Sequence, residues 1–385
     1  MDVLISGASV AGPALAYWLG RAGHAVTVVE AAPAPRAGGY AVDFRGGTHL
    51  GVLRRMGVLD ELRGRETGGT PYRFVDRDGR ELAGLPGAFA GGDLEVPRGE
   101  LSRVLREHSG ASYVYGDSVA ALTETAGGVR VDFERGGSRT FDLVVGADGM
   151  HSRVRRLAFG PEERFVRHLG CHIAGWELPC PEGVDRTRQL YNEPGRLASV
   201  GADHGDPARA STFFAFRSGP LRYDRRDQAG PRAILADRFA GMGWRTPTLV
   251  DALESAPDVY FDAVSRVDVP TWSRGRVALL GDAGYGATVG GMGTGTAVVA
   301  AYVLAGELAV ARGDHATAFA RYEGRLRRFV TGCQRGGRGT GAFLAPPTAT
   351  RIRLRNRMLR SPTLSGMLIK QSQRASTVAL PDYPL

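Results

Sequence analysis

Lysine and cysteine are scarce in this sequence, and both scarcities narrow what the protein can do. Lys370 is the only lysine, so arginines carry the formal net charge of +9, and they are spread along the chain beside acidic residues. Nucleic-acid binding requires a concentrated basic patch, so we expect no nucleic-acid partner. The cysteines are few, odd in number and without metal-ligand spacing, which predicts a cytoplasmic protein with no metal site. They are Cys171, Cys180 and Cys333.

Long hydrophobic runs are also missing. No uninterrupted apolar stretch reaches the roughly 20 residues that a bilayer-spanning helix needs. The N-terminus enters a strand without the charged and apolar regions of a signal peptide. These absences predict no membrane partner, and nothing in the sequence indicates an oligomeric state. The 385 residues, of which 43% are hydrophobic, are enough to bury a large core in two or more lobes.

One glycine is missing from a phosphate-binding turn near the N-terminus. The segment GASVAGP (Gly7–Pro13) follows the apolar run Val3–Ser6 and precedes a stretch of helical spacing. Ser9 stands where the dinucleotide-binding fingerprint has its second glycine. Serine is small enough for close backbone approach, so the pattern still predicts a helix whose first amides face a pyrophosphate. The residues predicted to bind it are Gly7, Ser9, Val10, Ala11 and Gly12.

The acid that ends the second strand indicates the class of dinucleotide. The β-rich run HAVTVVE (His24–Glu30) closes on Glu30, about twenty residues past Gly7, as the fingerprint requires. A carboxylate there accepts hydrogen bonds from a ribose 2′-hydroxyl and repels a 2′-phosphate. We therefore expect FAD or NAD in this site and not NADP. The alternative interpretation is a strand–helix turn whose small residues serve packing only.

Two later segments repeat the pattern of a buried strand followed by an acid and glycines. Phe141–Arg156 (FDLVVGADGMHSRVRR) leads into Asp148, which could hold backbone amides around a phosphate. Gly275–Leu308 leads into Asp282, whose carboxylate could accept a hydrogen bond from a sugar-chain hydroxyl. Each segment alone is also compatible with a packing turn. The loop after Asp282 is bare enough to lie against a flat ring at a helix N-terminus, and its glycines are Gly290, Gly291, Gly293 and Gly295.

Together with PRGELSRVL (Pro97–Leu105) and the segment Tyr260–Gly286, these motifs make the chain resemble a known family. It resembles the FAD-dependent class A flavoprotein monooxygenases, which have the para-hydroxybenzoate hydroxylase fold. Among them it is similar to the shorter actinobacterial aromatic hydroxylases and the tetracycline-inactivating members. The resemblance covers nearly the whole chain, although Tyr285 stands where many members have histidine and Val289 where many have proline.

The resemblance implies a non-covalently bound FAD and a set of contacts to it. The first turn would hold the pyrophosphate, Glu30 the adenosine ribose, and Asp282 the ribityl or pyrophosphate region. Further contacts are implied for Arg98, for the backbone near Val119 beside the adenine, and for the loop from Arg36 to Arg45 beside the flavin. Peptide amides of Gly291–Gly295 would stabilise negative charge on the reduced flavin.

The implied fold class is α/β. A Rossmann-like FAD-binding lobe of the GR2 type carries an inserted, mainly antiparallel β-sheet substrate lobe and a C-terminal helix. The predicted segments are the FAD-binding lobe in three parts (1–70, 96–163 and 269–345), a substrate-lobe hairpin (71–95), the β-rich substrate lobe (164–268) and a C-terminal helical segment (346–385).

The resemblance also implies the chemistry. NADPH or NADH would bind transiently and reduce FAD, O2 would give a C4a-hydroperoxyflavin, and oxygen would pass to an aromatic or polyketide-like small molecule. Arg45 and Arg217 are candidates to hold its enolate or phenolate. Aromatic residues of the insert are candidate walls of the substrate site, with core packing as the alternative; they are Trp176, Tyr191, Phe214 and Phe216.

Three other functions share part of this pattern. A flavin-dependent halogenase needs a WxWxIP segment and a lysine near the substrate, whereas this chain has only GWELP (Gly175–Pro179) and the distant Lys370. An FAD-dependent dehydrogenase or reductase would share all three nucleotide-binding segments. A catalytically idle flavin-binding protein is the non-enzymatic alternative. The first of these is disfavoured by the sequence, and the other two stay open.

Overall fold

The structure is a computed structural model, and it describes residues 1–35, 40–224, 227–288, 293–337, 339–361, 363, 366 and 377–385. Its strands are β1 (Asp2–Ser6), β2 (Ala25–Glu30), β3 (Ala41–Phe44), β4 (Tyr72–Val75), β5 (Glu81–Leu85), β6 (Leu94–Pro97), β7 (Ser112–Tyr115), β8 (Val119–Thr125), β9 (Gly128–Phe133), β10 (Ser138–Phe141), β11 (Leu143–Gly146), β12 (Val166–Gly175), β13 (Glu177–Pro179), β14 (Arg188–Glu193), β15 (Arg196–Ala202), β16 (Arg209–Thr212), β17 (Phe214–Arg217), β18 (Tyr260–Val267), β19 (Ser273–Arg274) and β20 (Val277–Leu279).

The helices are α1 (Ala11–Arg21), α2 (Gly46–Arg55), α3 (Leu59–Arg63), α4 (Gly87–Gly91), α5 (Arg98–Ser109), α6 (Arg153–Ala158), α7 (Ala229–Phe239), α8 (Thr246–Asp251), α9 (Asp282–Tyr285), α10 (Gly293–Ala311), α11 (His315–Gly337), α12 (Thr340–Leu344) and α13 (Ala349–Leu359). A short 3₁₀ helix, Glu162–Arg164, follows α6.

The first lobe is built on a six-stranded sheet with the order β19-β20-β11-β1-β2-β7 among the described residues. β1 lies in the centre and pairs in parallel with β2 and β11, which in turn pairs in parallel with β20. The central strands are continuous apolar runs because helices cover both faces of a parallel sheet. The predicted strand–turn–helix–strand unit and the late return of the chain to this sheet are therefore confirmed. We call this part of the molecule the flavin lobe.

α10 is the apolar helix at the centre of the flavin lobe, where it packs against α1 and α11. Among the described helices it alone is long and apolar enough to cross a membrane, and 78% of its most apolar window is buried inside the protein. The sequence has no uninterrupted apolar run of that length here, because Thr294, Thr296 and Glu307 interrupt the stretch.

The turns at AGG and RGG predict a meander of three strands, Leu122–Thr125, Val129–Glu134 and Thr140–Val145. This prediction is correct for the first two strands and wrong for the third. β8, β9 and β10 form a three-stranded antiparallel sheet. The segment predicted as a single strand, Thr140–Val145, instead divides at Asp142 between β10 and β11. Asp142 is fixed there because its amide donates to the Asp2 carbonyl at 2.8 Å and its carboxylate accepts from the Asp2 amide at 2.7 Å. β11 thereby joins the parallel sheet.

The insert is a mainly antiparallel sheet of nine strands among the described residues. The sequence DRDGR predicts the turn of a hairpin over Pro71–Leu85, and the β4–β5 hairpin turns there. The hairpin joins the rest of the sheet through the parallel pair β4–β14. β12 pairs with β17 on one side and β18 on the other. We call this sheet, with α7 and α8, the insert.

The two faces of the insert sheet bury different aromatic residues. Phe214 and Phe216 of β17 lie on the face covered by α7 and α8, in one apolar cluster with Leu235 and Phe239. Alternation along a strand sends Phe213 and Ala215 to the opposite face. The aromatic residues that were candidates for the walls of the substrate site therefore lie in the core between the sheet and α7 and α8. For them the alternative interpretation, core packing, is correct. They are Trp176, Tyr191, Phe214 and Phe216.

The C-terminal region closes on both lobes. α13 packs on β5 and β14 of the insert. The sequence pattern predicts an apolar face of α13 at Leu354 and Met358, but these are 57% and 48% exposed, and Arg355 and Leu359 are buried instead. Further on, the Tyr302 hydroxyl donates to the Pro381 carbonyl at 2.9 Å, so the tail lies on the flavin lobe. The predicted helix Pro362–Gln373 lies outside the described residues, apart from isolated positions.

Candidate functional site

The turn after β1 has the geometry that its glycines predict. Gly7 has a φ of 110°, which L side chains rarely adopt. A Cβ at Gly7 would collide with the Ala147 carbonyl at the end of β11, and a Cβ at Gly12 would collide with the Gly7 carbonyl. Both positions therefore require glycine, and the turn lies directly against the end of the neighbouring strand.

The first turn of α1 is open to an anion. Its N-cap residue, Val10, has no capping side chain, and the first turn contains no acidic residue. Amides at the start of a helix have no intrahelical acceptor, and the helix dipole adds positive potential there. Pro13 stands within this turn, where its missing N–H removes no hydrogen bond. The arrangement suits a pyrophosphate.

Glu30 lies beside this turn, at the end of β2. Its Oε2 accepts a hydrogen bond from the Ala8 amide at 2.9 Å, and its Oε1 accepts from the Ala32 amide at 3.0 Å. Each carboxylate oxygen has more than one lone pair, so the group can still accept bonds from sugar hydroxyls. The carboxylate is thus fixed next to the phosphate-binding turn, as the sequence pattern predicts.

Ser9 and Arg98 are in direct contact across the same cleft. The Arg98 guanidinium donates to Ser9 Oγ from Nη2 at 2.9 Å and from Nε at 3.3 Å. Arg98 begins α5, directly after Pro97. The hydroxyl that replaces the second glycine of the fingerprint is therefore an acceptor that positions this arginine.

Asp282 is the third predicted acidic residue, and it begins α9 after β20. Burial raises its pKa, and the positive charge of Arg98 offsets part of that effect. Within the described part of the chain its carboxylate has no hydrogen-bond donor. A Cβ at Gly293 would approach Asp282 Oδ1 to 3.2 Å, so glycine keeps the space beside the carboxylate open. An acid with unfilled acceptor capacity beside a bare backbone fits a ligand hydroxyl.

Gly295 leaves space for the side chain of His49, which the sequence did not indicate. It is buried in α10, and a Cβ there would collide with the imidazole of His49. The missing side chain at Gly295 thus makes room for His49, and the contact of its backbone with the flavin stays a prediction. His49 Nδ1 accepts from the Arg45 amide at 3.1 Å, and burial lowers the pKa of His49 to about 4, so the ring is neutral. Gly290 and Gly291 lie outside the described residues.

Asp148 and Val119 are placed by contacts within the flavin lobe. The Asp148 carboxylate accepts from the amides of Arg153 and Val154 at 2.8 and 3.0 Å and from the Ser152 hydroxyl. It thus caps α6, and only the backbone at Asp148 is left to contact a phosphate. Val119 is fully buried, and its carbonyl lies 3.4 Å from Arg153 Nη1.

The two candidate substrate arginines lie in different environments. Arg45 is buried, and its guanidinium bonds the Asp43 carboxylate and donates to the Phe89 carbonyl at 2.7 Å. Its charge is therefore already paired, which the sequence did not predict. Arg217 ends β17 and is exposed, and its amide donates to the Gly195 carbonyl at 2.9 Å. The predicted contact at Arg36 lies outside the described residues.

Sequence reasoning missed an aromatic patch between the lobes. The Tyr40 ring makes edge-to-face contacts with Phe213 and Tyr260, at centroid distances of 5.9 and 6.3 Å. The Tyr40 hydroxyl donates to the Thr212 carbonyl at 2.8 Å. Tyr260 lies within electrostatic reach of Arg98 and Asp282. We call Tyr40, Phe213 and Tyr260 the flavin-side aromatic patch, and its member Tyr260 lies in the field of these two nucleotide-site residues. Period-two alternation around Phe214 could have identified Phe213.

Tyr285, which stands where many members of the family have histidine, points into the core. Its ring lies 4.3 Å from that of Trp272, and its hydroxyl is 2.7 Å from the Tyr322 hydroxyl. The Tyr322 hydroxyl in turn donates to the Leu279 carbonyl at 3.1 Å. This departure from the family pattern therefore alters the packing of α9 against Trp272 and Tyr322.

Comparisons with known proteins agree with this geometry. Residues 1–212 match the family model described as FAD binding domain. A flavin-dependent monooxygenase from an unknown prokaryotic organism is 36% identical over 99% of this chain and 98% of its own length. An uncharacterized protein of Mycobacterium tuberculosis (strain ATCC 25618 / H37Rv) is 44% identical over 85% of this chain and 90% of its own. The crystal structure of tetracycline destructase Tet(55) is 35% identical, with a TM-score of 0.85 over 99% of this chain and 98% of that one.

The fold and the cradle of Gly7, Gly12, Glu30 and Asp282 define an FAD-binding oxidoreductase. More particularly, the chain belongs to the family of FAD-dependent, or flavin-dependent, monooxygenases. Its cofactor is FAD, and its reaction uses O2, a reduced nicotinamide and a small-molecule substrate. The family assignment therefore confirms the resemblance that the sequence motifs carry.

Proposed function

We propose that the enzyme hydroxylates an aromatic or polyketide-like small molecule held between the flavin-side aromatic patch and the flavin ring. The observation that supports this substrate class is the patch itself. The Tyr40 ring contacts those of Phe213 and Tyr260 edge to face, and Tyr260 lies in the electrostatic field of Arg98 and Asp282. Aromatic side chains bind flat, electron-rich ligands by offset stacking and edge contacts, while their polar ends stay satisfied.

Bound FAD supplies the electron transfer from reduced nicotinamide to O2, and the protein's residues bind, orient and exclude water. In this proposal Glu30 holds the adenosine ribose and the start of α1 holds the pyrophosphate. Arg98 and Asp282 accompany the ribityl chain, and Val119 lies by the adenine. The predicted contacts to FAD also include the backbone at Asp148 and Gly293. They include Arg36 and Gly291 as well, which lie outside the described residues.

We assign different proposed roles to the two arginines. Arg45 is fixed by Asp43 and the Phe89 carbonyl, so it orients the segment beside the flavin. Arg217 is exposed at the end of β17 and is available to an anionic group of a substrate that extends along the insert. The Arg45→Ala variant is expected to reduce the stimulation of flavin reduction by substrate.

The relatives broaden the panel of compounds to test. Two tetracycline destructases, at 30% and 35% identity, cover 99% of this chain. We therefore propose that the accepted molecules include fused-ring polyketides of the tetracycline type as well as simple phenols. The division into the segments 1–70, 71–95, 96–163, 164–268, 269–345 and 346–385 is part of the same proposal.

The test is a stopped-flow measurement of the purified yellow protein. Bound FAD is mixed anaerobically with NADPH or NADH in the presence of phenols, tetracyclines and other polyketides, and the loss of flavin absorbance is followed. A substrate accelerates this reduction. When O2 is then admitted, the substrate is converted to an oxygenated product. Failure of every compound to accelerate reduction would contradict the proposed substrate class.

A matched pair of variants tests the location of the substrate. Phe213→Leu alters the flavin-side patch, whereas Tyr191→Phe alters a ring on the opposite face of the same sheet. We expect Phe213→Leu to raise the KM of an accelerating compound and Tyr191→Phe to leave it unchanged. Product that forms equally well without O2 would instead indicate a dehydrogenase or reductase. Protein that binds FAD but is never reduced would be an idle flavin-binding protein.

A further inference from the structure

One histidine connects the two lobes through both of its ring nitrogens. His151 lies in the turn between β11 and α6 of the flavin lobe. Its Nδ1 is 3.0 Å from Glu162 Oε1, in the 3₁₀ helix after α6. Its Nε2 is 3.3 Å from Asp262 Oδ2, on β18 of the insert. The side chain of Asp262 is only 14% exposed, so this contact lies inside the junction of the lobes.

The polar contacts of His151 continue to α9, the helix that begins at Asp282. Glu162 Oε2 is 3.5 Å from Arg155 Nη2, and the side chain of Arg155 is fully buried. Arg155 donates to the Ala283 carbonyl at 2.9 Å and to the Met150 carbonyl at 2.7 Å. A chain of polar contacts thus runs from β18, through His151 and Glu162, to the residue after Asp282.

The protonation state of His151 decides whether this chain is complete. A neutral imidazole has one N–H donor and one acceptor, whereas the imidazolium has two donors. Both ring nitrogens of His151 face carboxylate oxygens, which are acceptors only. Both contacts can be hydrogen bonds only if the ring is protonated. Loss of one proton converts one of them into a contact between two acceptors.

Other charged and titratable groups face this cluster from each neighbouring element. Arg155 approaches Glu162 from α6, and Asp148, which caps α6, lies in the field of Arg155. From the insert, Tyr260 of β18 and His172 of β12 lie within the field of Asp262. Burial lowers the pKa of His151, but the hydrogen bonds that its ring donates to Asp262 and Glu162, with the charges of these two carboxylates, outweigh burial and raise that pKa above its usual value of 6.5.

We propose that His151, in its protonated form, is a positioning residue that holds the insert sheet against the flavin lobe through Asp262 and Glu162. It does not touch the reacting atoms. It acts through β18, whose first residue, Tyr260, belongs to the flavin-side aromatic patch. One consequence of this role rests on the proposed function. Deprotonation of His151 loosens β18, lets water reach the substrate site and diverts oxygen to hydrogen peroxide.

The sign of the pH dependence follows from the direction of the pKa shift. A histidine whose pKa is raised on folding stabilises the folded contact fully below the unfolded pKa of about 6.5. That stabilisation is lost as the pH rises through the raised value. The contact of His151 with β18 is therefore expected to be strongest at pH 6 and to weaken as the pH rises through the raised pKa of His151.

Hydrogen exchange of the FAD-loaded enzyme tests this without a substrate. Protection factors of a peptide covering Tyr260–Val267, corrected for intrinsic exchange, are compared from pH 6 to pH 9. We expect them to fall about three- to tenfold in the wild type, the effect of losing one partly exposed hydrogen bond. His151→Gln and Asp262→Asn should show the lowered protection at pH 6 and no further change with pH.

The matched control is His108→Gln. His108 Nε2 is 3.0 Å from Glu61 Oε2, but both residues belong to the flavin lobe. This variant should keep the wild-type profile of β18. A flat profile in the wild type, an unchanged pH dependence in His151→Gln, or a loss of it in His108→Gln would each overturn the proposal.

The outcome is separable from the proposed function. Bound FAD is followed in every sample by its absorbance, and reduction is followed in the substrate screen. A flat exchange profile in yellow protein that responds to substrate overturns only the role of His151. A pH-dependent profile in yellow protein that no compound stimulates supports the role of His151 and contradicts the proposed substrate class.

Discussion

Arg98 Nη2 lies 2.9 Å from Ser9 Oγ, and this contact joins the turn after β1 to the start of α5. The serine that breaks the glycine fingerprint is thus an acceptor for the arginine of PRGELSRVL. Asp282 lies in the field of the same arginine. Ser9, Arg98 and Asp282 therefore form one polar boundary of the site, contributed by three separate segments of the sequence.

Replacing this arginine should weaken the binding of FAD. We expect Arg98→Ala to raise the Kd for FAD about tenfold or more, because it removes a charged donor beside the flavin site (about 1.5–3 kcal/mol for a charged hydrogen bond). Arg98→Lys should recover only part of the loss, since an ammonium does not reproduce the guanidinium fork. Fluorescence titration of apoprotein with FAD measures the effect.

Two controls accompany this prediction. Arg54→Ala removes the same charge from an exposed position in α2 and should leave the Kd unchanged. Ser9→Gly restores the family fingerprint and should keep FAD binding within a few-fold of the wild type, because the arginine itself remains. An Arg98→Ala variant that binds FAD as tightly as the wild type would contradict the assignment.

Glu30→Gln should weaken FAD binding more than a simple loss of charge does. The amide group of glutamine has only one acceptor oxygen, so either the Ala8 or the Ala32 amide loses its partner. We expect the Kd for FAD to rise about 10- to 100-fold, the range for one charge-assisted hydrogen bond. Release of bound FAD during dialysis, followed by absorbance, gives the measurement. The exposed Glu66→Gln is the matched control, and equal retention of FAD in both variants would refute the role of Glu30.

Gly295→Ala should destabilise the apoprotein because the new methyl group meets the ring of His49. Overpacking of this kind costs about 1–3 kcal/mol, and urea unfolding measures it. The double variant with His49→Ala should lose less than the sum of the two single variants. Gly324→Ala is the control, since Gly324 is an exposed helical position with open space around it, and it should be neutral or stabilising. A neutral Gly295→Ala variant would show that the contact relaxes freely.

Acid should destabilise the protein through two buried histidines. Burial lowers the pKa of His49 and of His172 to about 4. The unfolded chain, with a histidine pKa of about 6.5, takes up these protons first, so stability present above pH 6.5 is lost as the pH falls toward 4. Each histidine accounts for about 2 kcal/mol of this loss at pH 4.5, by the same relation.

His172→Phe isolates one of these contributions. His172 stacks between Phe216 and Phe261 at centroid distances of 5.6 and 5.5 Å, so a phenyl ring fits the same position. Unfolding free energies at pH 7 and pH 4.5 should differ by about 2 kcal/mol less in the variant than in the wild type. The same difference in both proteins would mean that His172 is protonated in the folded state.

Local patterns were sufficient for much of the flavin lobe. The apolar runs before Gly7, Asp148 and Asp282 predicted parallel strands, and the structure pairs all three in one sheet. A buried parallel strand needs a continuous apolar run, and a tight turn needs glycine, so both are visible over a few residues. For the same reason the turn at DRDGR correctly predicted the β4–β5 hairpin.

Contacts distant in sequence left no such signal. Nothing around Arg45 indicated that its guanidinium would donate to the Phe89 carbonyl, and the fingerprint around Gly295 gave no sign of His49. The exposed Leu354 and Met358 also show that helical spacing predicts an apolar stripe but not which face is buried.

The sequence by itself determined an FAD-binding lobe, the class of enzyme and the acids at the ends of the strands, because each depends on residues that act within one strand and the turn after it. Only the tertiary structure decided which face of the insert meets the flavin lobe, what surrounds each charge, and that His151 faces Asp262. Those properties arise where segments more than a hundred residues apart pack together, and desolvation and pairing at such junctions depend on every group that meets there.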